Sequence, residues 1–332
     1  MTHSVDTAEG ILRLGHRFRE AKLLLAAVRL DVFSALHEAP ASYDEVGRRV
    51  GLSGRGLPDF LRALAVLGLV EEDGGRYRNA PGATRHLVRG APEYIGGFLA
   101  GADASLYPAY GRLAEALRTG RPQADGDFTA MLDDPAALAA FARMMDGLTE
   151  TLGPELVRGY DWSGHRRVLD VGGCRGNLVA RLVEAHPHLT GQVFDLPQLE
   201  PLFAAYTGAR GLAERVSFQA GDFFADPLPA ADAIVYGHIL HDWSPAQRAH
   251  LVALAYAALE PGGTLLIYDR MLNAARDSTT NLVASLTMLL MTDEGGEYTV
   301  TEVEHLARAA GFAKVSFQPL GEYETLAVCH KR

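Results

Sequence analysis

RRVLDVGGCRG, residues 166–176, starts as an apolar run and ends in a glycine-rich turn. Such a run is typical of a buried strand, and in a doubly wound α/β sheet the first turn from strand to helix often carries the glycines that a ligand approaches. The spacing of Gly172, Gly173 and Gly176 differs from the G-x-G-x-x-G of dinucleotide-binding proteins. A carboxylate at Asp170, directly before the glycines, would repel a pyrophosphate but suit a ligand that carries an ammonium group.

Strand-like and helix-like segments alternate through the rest of the chain. Apolar runs such as GQVFDL, RVSFQA, ADAIVYG and GTLLIYD are separated by amphipathic helical stretches, which predicts a mostly parallel sheet with helices on both faces. The two last runs, KVSFQPL and ETLAVCHK, are joined only by GEY. That short connection predicts an antiparallel hairpin at the end of the sheet.

The N-terminal part of the chain has a helical pattern. Apolar residues recur at helical spacing over 11–38, which predicts two helices on a common core. A short helix, a second helix over about 55–69 and two short strands around an Asp-Gly-Gly turn follow, in the order typical of a winged helix. Because the second helix combines Arg55 and Arg62 with Asp59 and a long apolar face, we interpret it as a packing or dimerisation surface rather than a DNA-reading helix.

Composition disfavours several classes of protein. The chain has 332 residues, of which 48% are hydrophobic and 22% charged, as in ordinary globular proteins of one or two domains. A net charge of -10 disfavours binding to nucleic acid through phosphate contacts. Cys174 and Cys329 are too few for a disulfide framework, and no stretch reaches the roughly 18 uninterrupted apolar residues of a membrane span. We therefore expect a cytoplasmic protein that neither binds nucleic acid nor enters a membrane.

The ends of the following predicted strands carry acidic and aromatic side chains. Asp195 ends QVFDL, where a carboxylate can accept hydrogen bonds from both ribose hydroxyls; its alternative role is to cap the next helix. Asp222 and Phe223, in GDFF, stand where an adenine amino group and ring face would lie. HDW, with His241 and Trp243, follows the fourth strand. Together with the carboxylate before the glycines, these strand ends match the ammonium, ribose and adenine groups of S-adenosylmethionine.

Taken together, the motifs resemble those of the class I S-adenosylmethionine-dependent methyltransferases, and within them the caffeate-type O-methyltransferases of plants and of bacterial natural-product pathways. DVGGCRG is similar to that family's DVGGGxG, VFDLP to its second-strand motif, GDFF to its GDxF and HILHDW to its xxLHDW. The likeness extends over essentially the whole chain, including the winged-helix-like region and AAGF at 309–312.

The resemblance implies a fold, a cofactor and an assembly. The fold is a Rossmann-like domain with a seven-stranded, mostly parallel sheet and a C-terminal antiparallel hairpin, over 161–332. A mostly α, winged-helix-like dimerisation domain over 1–105 and a helical connector over 106–160, which contributes to the acceptor pocket, precede it. The implied protein is a homodimer that transfers a methyl group from S-adenosylmethionine, leaving S-adenosylhomocysteine, to a hydroxyl of a small aromatic metabolite. The residues implied to bind the cofactor are Asp170, Gly172, Gly173, Gly176, Asp195, Leu196, Gly221, Asp222, Phe223 and Trp243.

Catalytic roles also follow from the resemblance. The His of LHDW, His241, is implied to be the general base that removes the acceptor's proton, which an imidazole can do when held within hydrogen-bond reach. Asp269 and Glu297 correspond to two acidic residues that flank the base, and an acidic partner raises the pKa of an imidazole. Both matches are imperfect, because the family usually has Glu where Asp269 stands and commonly Arg where Tyr298 stands. We expect Asp242 to cap the helix that begins at SPAQR.

Two features depart from this pattern or compete with it. Cys174 stands where the family has glycine, and we expect cofactor binding to persist provided that Cys174 keeps a negative φ or turns its side chain away. His238, His241 and Asp242 form an HxxHD pattern that could suggest a metal. Because residues three apart in an extended segment point to opposite faces, and no further ligand is evident, we expect no metal site.

The acceptor and the type of methylation stay open at the level of sequence. Met145 and Met288 are candidates for an apolar acceptor pocket, since flexible thioethers suit a flat aromatic substrate. Alternatives are methylation of carbon or nitrogen, or a relative that keeps the cofactor without using its methyl group. A regulator that binds DNA through the winged helix and senses a ligand is the alternative from another class, and a nicotinamide dehydrogenase is disfavoured by the glycine spacing.

Overall fold

The chain is represented by a computed structural model that describes residues 5–124, 128–273 and 278–332. It comprises two compact units, Met1–Tyr107 and Pro108–Arg332. Within the described ranges, no helix combines the length and the apolar character needed to cross a membrane.

The N-terminal unit is built from short helices and one small hairpin, with Phe33, Leu61 and Leu64 completely buried in its core. The region predicted as two helices contains three. Asp31 adopts a left-handed φ of 57°, which interrupts the helical run and separates α2 from α3. The elements are α1 (Ala8–His16), α2 (Phe18–Arg29), α3 (Val32–Glu38), α4 (Tyr43–Val50), α5 (Leu57–Val66), the antiparallel strands β1 (Val70–Asp73) and β2 (Arg76–Asn79), α6 (Pro81–Leu87), α7 (Gly96–Gly101) and a π-helical segment (Ala102–Leu106).

The C-terminal unit begins with four helices and continues as an alternating α/β domain. The four helices are α8 (Tyr107–Tyr110), α9 (Leu113–Thr119), α10 (Phe128–Leu132) and α11 (Pro135–Gly159). The alternating part consists of β3 (Arg167–Val171), α12 (Asn177–Ala185), β4 (Thr190–Asp195), α13 (Glu200–Ala209), β5 (Val216–Ala220), β6 (Ala231–Gly237), α14 (Pro245–Ala258), β7 (Leu259–Asp269), α15 (Thr279–Met291), α16 (Val300–Ala310), β8 (Lys314–Leu320) and β9 (Glu324–His330).

The large sheet has seven strands in the order β5-β4-β3-β6-β7-β9-β8. Strands β3 to β7 pair in parallel, whereas β9 runs antiparallel to both β7 and β8. This topology confirms the predicted fold class, including the terminal hairpin. Strand order reverses between β3 and β6, so the carboxyl ends of these strands open the crevice where doubly wound sheets bind ligands.

The central strands are apolar along their length because helices cover both of their faces. In β3, Val168 packs into the core that α12 covers, while Leu169 packs into the core on the opposite face, beside Ile234 of β6. This two-sided burial fixes the strands firmly and places every predicted cofactor residue at or just beyond a carboxyl strand end.

Candidate active site

The glycine turn after β3 is shaped by two positions at which only glycine fits. Gly172 has φ of 73°, and a Cβ built there would lie 2.3 Å from Cδ1 of Ile239. Gly176 has φ of 81° at the start of α12, and its Cβ would lie 2.9 Å from the ring of Phe203. Both positions combine a left-handed backbone with close neighbours that leave no room for a side chain. The backbone of the turn is therefore accessible to a ligand.

Cys174 does not keep the negative φ expected from the sequence. Its φ is 52°, in the left-handed region, and the residue lines the cavity described below. The reason is a hydrogen bond: the amide of Cys174 donates to Oδ2 of Asp195 at 2.8 Å, and the turn adopts the conformation that makes this bond. Burial raises the pKa of the Cys174 thiol, which keeps it an unreactive neutral group.

Two carboxylates interact at this turn: Asp170 is buried and Asp195 is half-buried. Burial, together with the charge of Asp195, raises the pKa of Asp170 to about 7. Burial also raises the pKa of Asp195 to about 6, against the opposing effect of hydrogen bonds from the amides of Leu196 and Cys174. Asp195 uses its carboxylate for these amides and does not cap the helical turn that follows. Both groups are therefore poised to gain from a ligand that brings positive charge or hydroxyl donors.

A cavity of about 450 Å³ opens at these strand ends. Nine of the ten residues predicted to bind the cofactor line this cavity. The tenth, Gly176, does not line it but lies at the end of the glycine turn, before α12. Met145 lines the cavity, whereas Met288 does not. Sequence reasoning gave no cofactor or acceptor role to several lining residues. Phe224, His238 and Ile239 stand in recognised motifs, whereas Asp146 and Tyr268 carry no local signal.

Aromatic rings form one wall of the cavity. Trp243 meets Phe223 and Phe224 edge to face, with ring centroids 5.7 and 4.6 Å apart. A Cβ at Gly221 would lie 2.4 Å from the ring of Phe194, so glycine is needed for β5 to end against this wall. The carboxylate of Asp222 accepts a hydrogen bond from the amide of Phe224 at 2.8 Å and thereby stabilises the turn that presents the rings.

His241 lies beside the cavity in a short 3-10 turn, Leu240–Asp242, with 12% of its side chain exposed. Its Nδ1 is 2.9 Å from Oε1 of Glu297 and 3.3 Å from Oδ1 of Asp269, while its Nε2 comes within 3.7 Å of Asp242. The structure thus brings together the three predicted catalytic residues. Burial lowers the pKa of His241, but the charges of Asp269, Asp242 and Glu297 outweigh burial and raise it to about 10.

The 3-10 turn also brings together the two histidines of the HxxHD pattern. Because the chain curls after β6, with His238 at φ of 54°, the rings of His238 and His241 lie 5.4 Å apart rather than on opposite faces. Asp269 Oδ1 is 3.5 Å from Nδ1 of His238, so three potential ligand atoms lie within 4.8 Å of one another. The expectation that the two histidines point to opposite faces was wrong, and Asp269 is a third potential ligand that was not evident in the sequence. The hydrogen bond from Nδ1 of His241 to Glu297 accounts for one of these atoms without an ion.

Asp242 does not cap α14, contrary to expectation. Ser244 is the N-cap, and its side chain and that of Gln247 form a capping box. Ser244 caps the helix because it directly precedes the first helical residue, so that its hydroxyl reaches the amide of Gln247. Asp242 is left to line the cavity next to His241.

The sheet topology and the glycine turn, together with the carboxylates of Asp170 and Asp195 and the imidazole of His241, are those of a Rossmann-like methyltransferase. The chain belongs to the O-methyltransferase family: the profile of the O-methyltransferase domain matches residues 110–313, and that of the O-methyltransferase dimerisation domain matches residues 12–89. It is therefore an S-adenosylmethionine-dependent methyltransferase of the O-methyltransferase family, and the family and cofactor predicted from the sequence are confirmed.

Individual relatives are similar along their whole length. The tetracenomycin polyketide synthesis 8-O-methyl transferase TcmO of Streptomyces glaucescens is 43% identical over 97% of this chain and 96% of its own. The N,N-dimethyltransferase OxyT of Streptomyces rimosus is 38% identical over 93% of this chain and 91% of its own. Among solved structures, human N-acetylserotonin methyltransferase in complex with S-adenosylmethionine is 30% identical, with a TM-score of 0.90 over 100% of this chain and 99% of that one.

Proposed function

We propose that this enzyme methylates a phenolic hydroxyl of a polycyclic aromatic polyketide, with His241 as the general base. The similarity to TcmO supports the substrate class. So does the apolar end of the cavity, which is lined by Leu132, Phe141, Met145 and Leu148 and suits flat aromatic rings. Methylation of an amine is the second candidate, because OxyT, named as an N,N-dimethyltransferase, is also similar over nearly the whole chain.

The lining residues fit S-adenosylmethionine. A Cβ at Gly172 would collide with Ile239, which itself lines the cavity, so glycine at this position keeps the turn open beside the ligand. Asp170 would accept hydrogen bonds from the ammonium group, Asp195 from the ribose hydroxyls, and the wall that contains Phe223 would face the adenine. When bound, the cofactor supplies an electrophilic methyl group on a positively charged sulfur. The protein's own task is then to orient the acceptor oxygen and to remove its proton.

The observation that carries the general-base assignment is that two carboxylates contact Nδ1 of His241. Glu297 and Asp269 hold Nδ1, which leaves Nε2 as the nitrogen for the acceptor's proton. A phenol has a pKa of about 10, so transfer of its proton to an ordinary imidazole of pKa about 6.5 would be uphill by about 5 kcal/mol. Because the carboxylates raise the pKa of His241 to about 10, the same transfer becomes nearly level.

The protonation state of His241 predicts the sign of the pH dependence. An imidazole with a pKa of about 10 is mostly protonated at pH 7 and must lose that proton before it can act as a base. A sulfonium in the same cavity disfavours a second positive charge, so we expect the working pKa to lie below 10. Turnover should therefore rise with pH up to that working pKa.

A homodimer and a cytoplasmic location complete the proposal. The dimerisation domain profile supports self-association, and so do apolar side chains on the first two helices that are more than half exposed: Ile11, Leu12, Leu14 and Phe18. We keep the division into a dimerisation domain over 1–105, a connector over 106–160 and a cofactor-binding domain over 161–332. Phe141 and Met145 support a role of the connector in the acceptor pocket.

The test compares His241→Ala with wild type and with His305→Ala, which removes an exposed imidazole from α16. Purified proteins are incubated with S-adenosylmethionine and a panel of polycyclic phenols and aryl amines, and products are identified by mass and by NMR. His241→Ala should lower kcat by about a thousandfold or more with cofactor affinity nearly unchanged, while His305→Ala matches wild type. Turnover of His241→Ala within tenfold of wild type would remove the general-base assignment, and a methyl group on nitrogen would establish the second candidate.

A further inference from the structure

Asp269 and Tyr298 are both buried and are bonded to each other. Asp269 ends β7 with no exposed surface, and Tyr298, just before α16, is 1% exposed. The phenolic hydroxyl of Tyr298 donates a hydrogen bond to Oδ2 of Asp269. The other oxygen of that carboxylate, Oδ1, is the one that approaches the imidazoles of His241 and His238, at 3.3 and 3.5 Å.

We propose that Tyr298 is a positioning residue for His241: its hydroxyl fixes the Asp269 carboxylate so that Oδ1 stays against the imidazole. This role rests on the proposed function of His241. A carboxylate can rotate about its last bond, and Oδ1 has no other hydrogen-bond partner within the described part of the chain. The bond to Oδ2 is therefore what sets the orientation of Oδ1.

Tyr298 is itself held from two sides. Its carbonyl accepts a hydrogen bond from the amide of Leu272 at 2.8 Å, which joins it to the segment after β7. The guanidinium of Arg248 lies over its ring, 4.6 Å from the centroid. That guanidinium also donates to the carbonyls of Leu240 and Gly296, the residues just before His241 and Glu297. Arg248 thus ties the turn that carries the base to the turn that carries Glu297 and Tyr298.

The two departures from the family's sequence pattern are therefore one structural feature. Asp269, shorter than the usual Glu by one methylene, and Tyr298, in place of a common Arg, occupy positions that touch. A neutral hydroxyl donor can satisfy Oδ2 without adding a positive charge beside the base. An arginine at 298 would compete electrostatically with the imidazolium for the same carboxylate.

The electrostatic consequence has a definite sign. A hydrogen bond from Tyr298 favours the ionised form of Asp269, and ionised Asp269 favours protonated His241. The other charged or titratable groups around the pair are His238 and Asp242 on the β6 side, Glu297 on the α16 side and Tyr268 of β7, with Arg248 of α14 behind the Tyr298 ring. None of these is altered when only the hydroxyl of Tyr298 is removed.

The test is Tyr298→Phe with Tyr236→Phe as the matched control. Tyr236 is equally buried, and its hydroxyl donates to the carbonyl of Leu251 at 2.9 Å, so the control loses a comparable buried hydrogen bond away from Asp269. The pKa of His241 is measured by NMR on protein with nitrogen-15-labelled histidine, assigned with His241→Ala. The pH profile of kcat is recorded alongside. Thermal unfolding shows whether both variants fold.

Tyr298→Phe should lower the pKa of His241 by about one unit and the plateau kcat about tenfold, with the KM for S-adenosylmethionine unchanged, while Tyr236→Phe leaves all three as in wild type. In an Asp269→Asn background, Tyr298→Phe should cause no further shift, because the interaction is already gone. An unchanged pKa of His241 in Tyr298→Phe would overturn the proposal. The titration needs no turnover, so it still reports on Tyr298 if His241→Ala proves active and the general-base assignment fails.

Discussion

Asp170→Asn should stabilise the ligand-free fold while weakening cofactor binding. Asp170 is 4% exposed, and burial together with the charge of Asp195 raises its pKa from 3.8 to about 7. No hydrogen bond to its carboxylate is found among the residues that the structure describes. Its ionised form is therefore costly in the empty enzyme and useful only when a cationic ligand is present. Asparagine keeps the shape of the side chain and removes the charge.

The magnitude follows from the raised pKa. Between pH 3.8 and about 7 the unfolded chain has released the proton of Asp170 while the folded one retains it, so the free energy of unfolding falls as pH rises through this window. About three pKa units correspond to about 4 kcal/mol once pH exceeds 7, and roughly 2 kcal/mol of that is already present at pH 5. Asp170→Asn should thus exceed wild type in stability by a margin that grows by about 2 kcal/mol from pH 5 to pH 8.

The assay is thermal unfolding of ligand-free protein at both pH values, with Asp133→Asn, an exposed carboxylate before α11, as control. A margin of about 2 kcal/mol corresponds to a difference of roughly 4 to 8 °C in Tm. Calorimetry should show that Asp170→Asn binds S-adenosylhomocysteine at least about tenfold more weakly, because a charged hydrogen-bond acceptor is lost. An equal margin at pH 5 and pH 8, or undiminished binding, would refute this account of the carboxylate pair.

Further predictions concern the glycine turn and the dimer. Cys174→Gly should bind the cofactor as wild type does, because glycine accepts the φ of 52° without strain. Cys174→Val should lose binding and stability, because a β-branched residue resists a positive φ. Equal thermal shifts with S-adenosylhomocysteine for the two variants would contradict this prediction. If the proposed homodimer forms through the first helices, Leu14→Glu should convert it to monomer in sedimentation experiments, whereas Leu117→Glu, which is comparably exposed but on α9, should not. A dimer that survives Leu14→Glu would contradict this placement of the interface.

The fold was predictable because its strands and turns carry local signals. A strand buried on both faces, such as Ala231–Gly237, is a continuous apolar run, and the glycines after β3 mark the turn that opens the crevice. The break between α2 and α3 escaped prediction for a physical reason. Asp31 enters the left-handed region within an uninterrupted helical pattern, and only its tertiary surroundings hold it there.

The candidate site was predictable as a set of positions but not as a network. Strand ends that share one edge of a sheet bring Asp170, Asp195 and His241 together whatever their neighbours, so topology alone suffices for them. The contact between Asp269 and Tyr298 joins residues 29 apart in the chain through the packing of two separate turns. Sequence comparison registered each of them as an isolated mismatch.

The same limit explains His238. Its ring approaches Asp269 only because the chain curls tightly after β6, at a residue with φ of 54° that no local pattern announces. Asp269 therefore lies within reach of two imidazoles, and among the described residues it is His241 whose imidazole is hydrogen-bonded to Glu297. If the hydroxyl of Tyr298 fixes the carboxylate as proposed, the choice of His241 over His238 as the base depends on Glu297 as well as on the LHDW motif. In this proposal the LHDW motif marks the base, while the pKa of that base is set partly by Asp242 of the motif and partly by Asp269 and Glu297, which lie outside it.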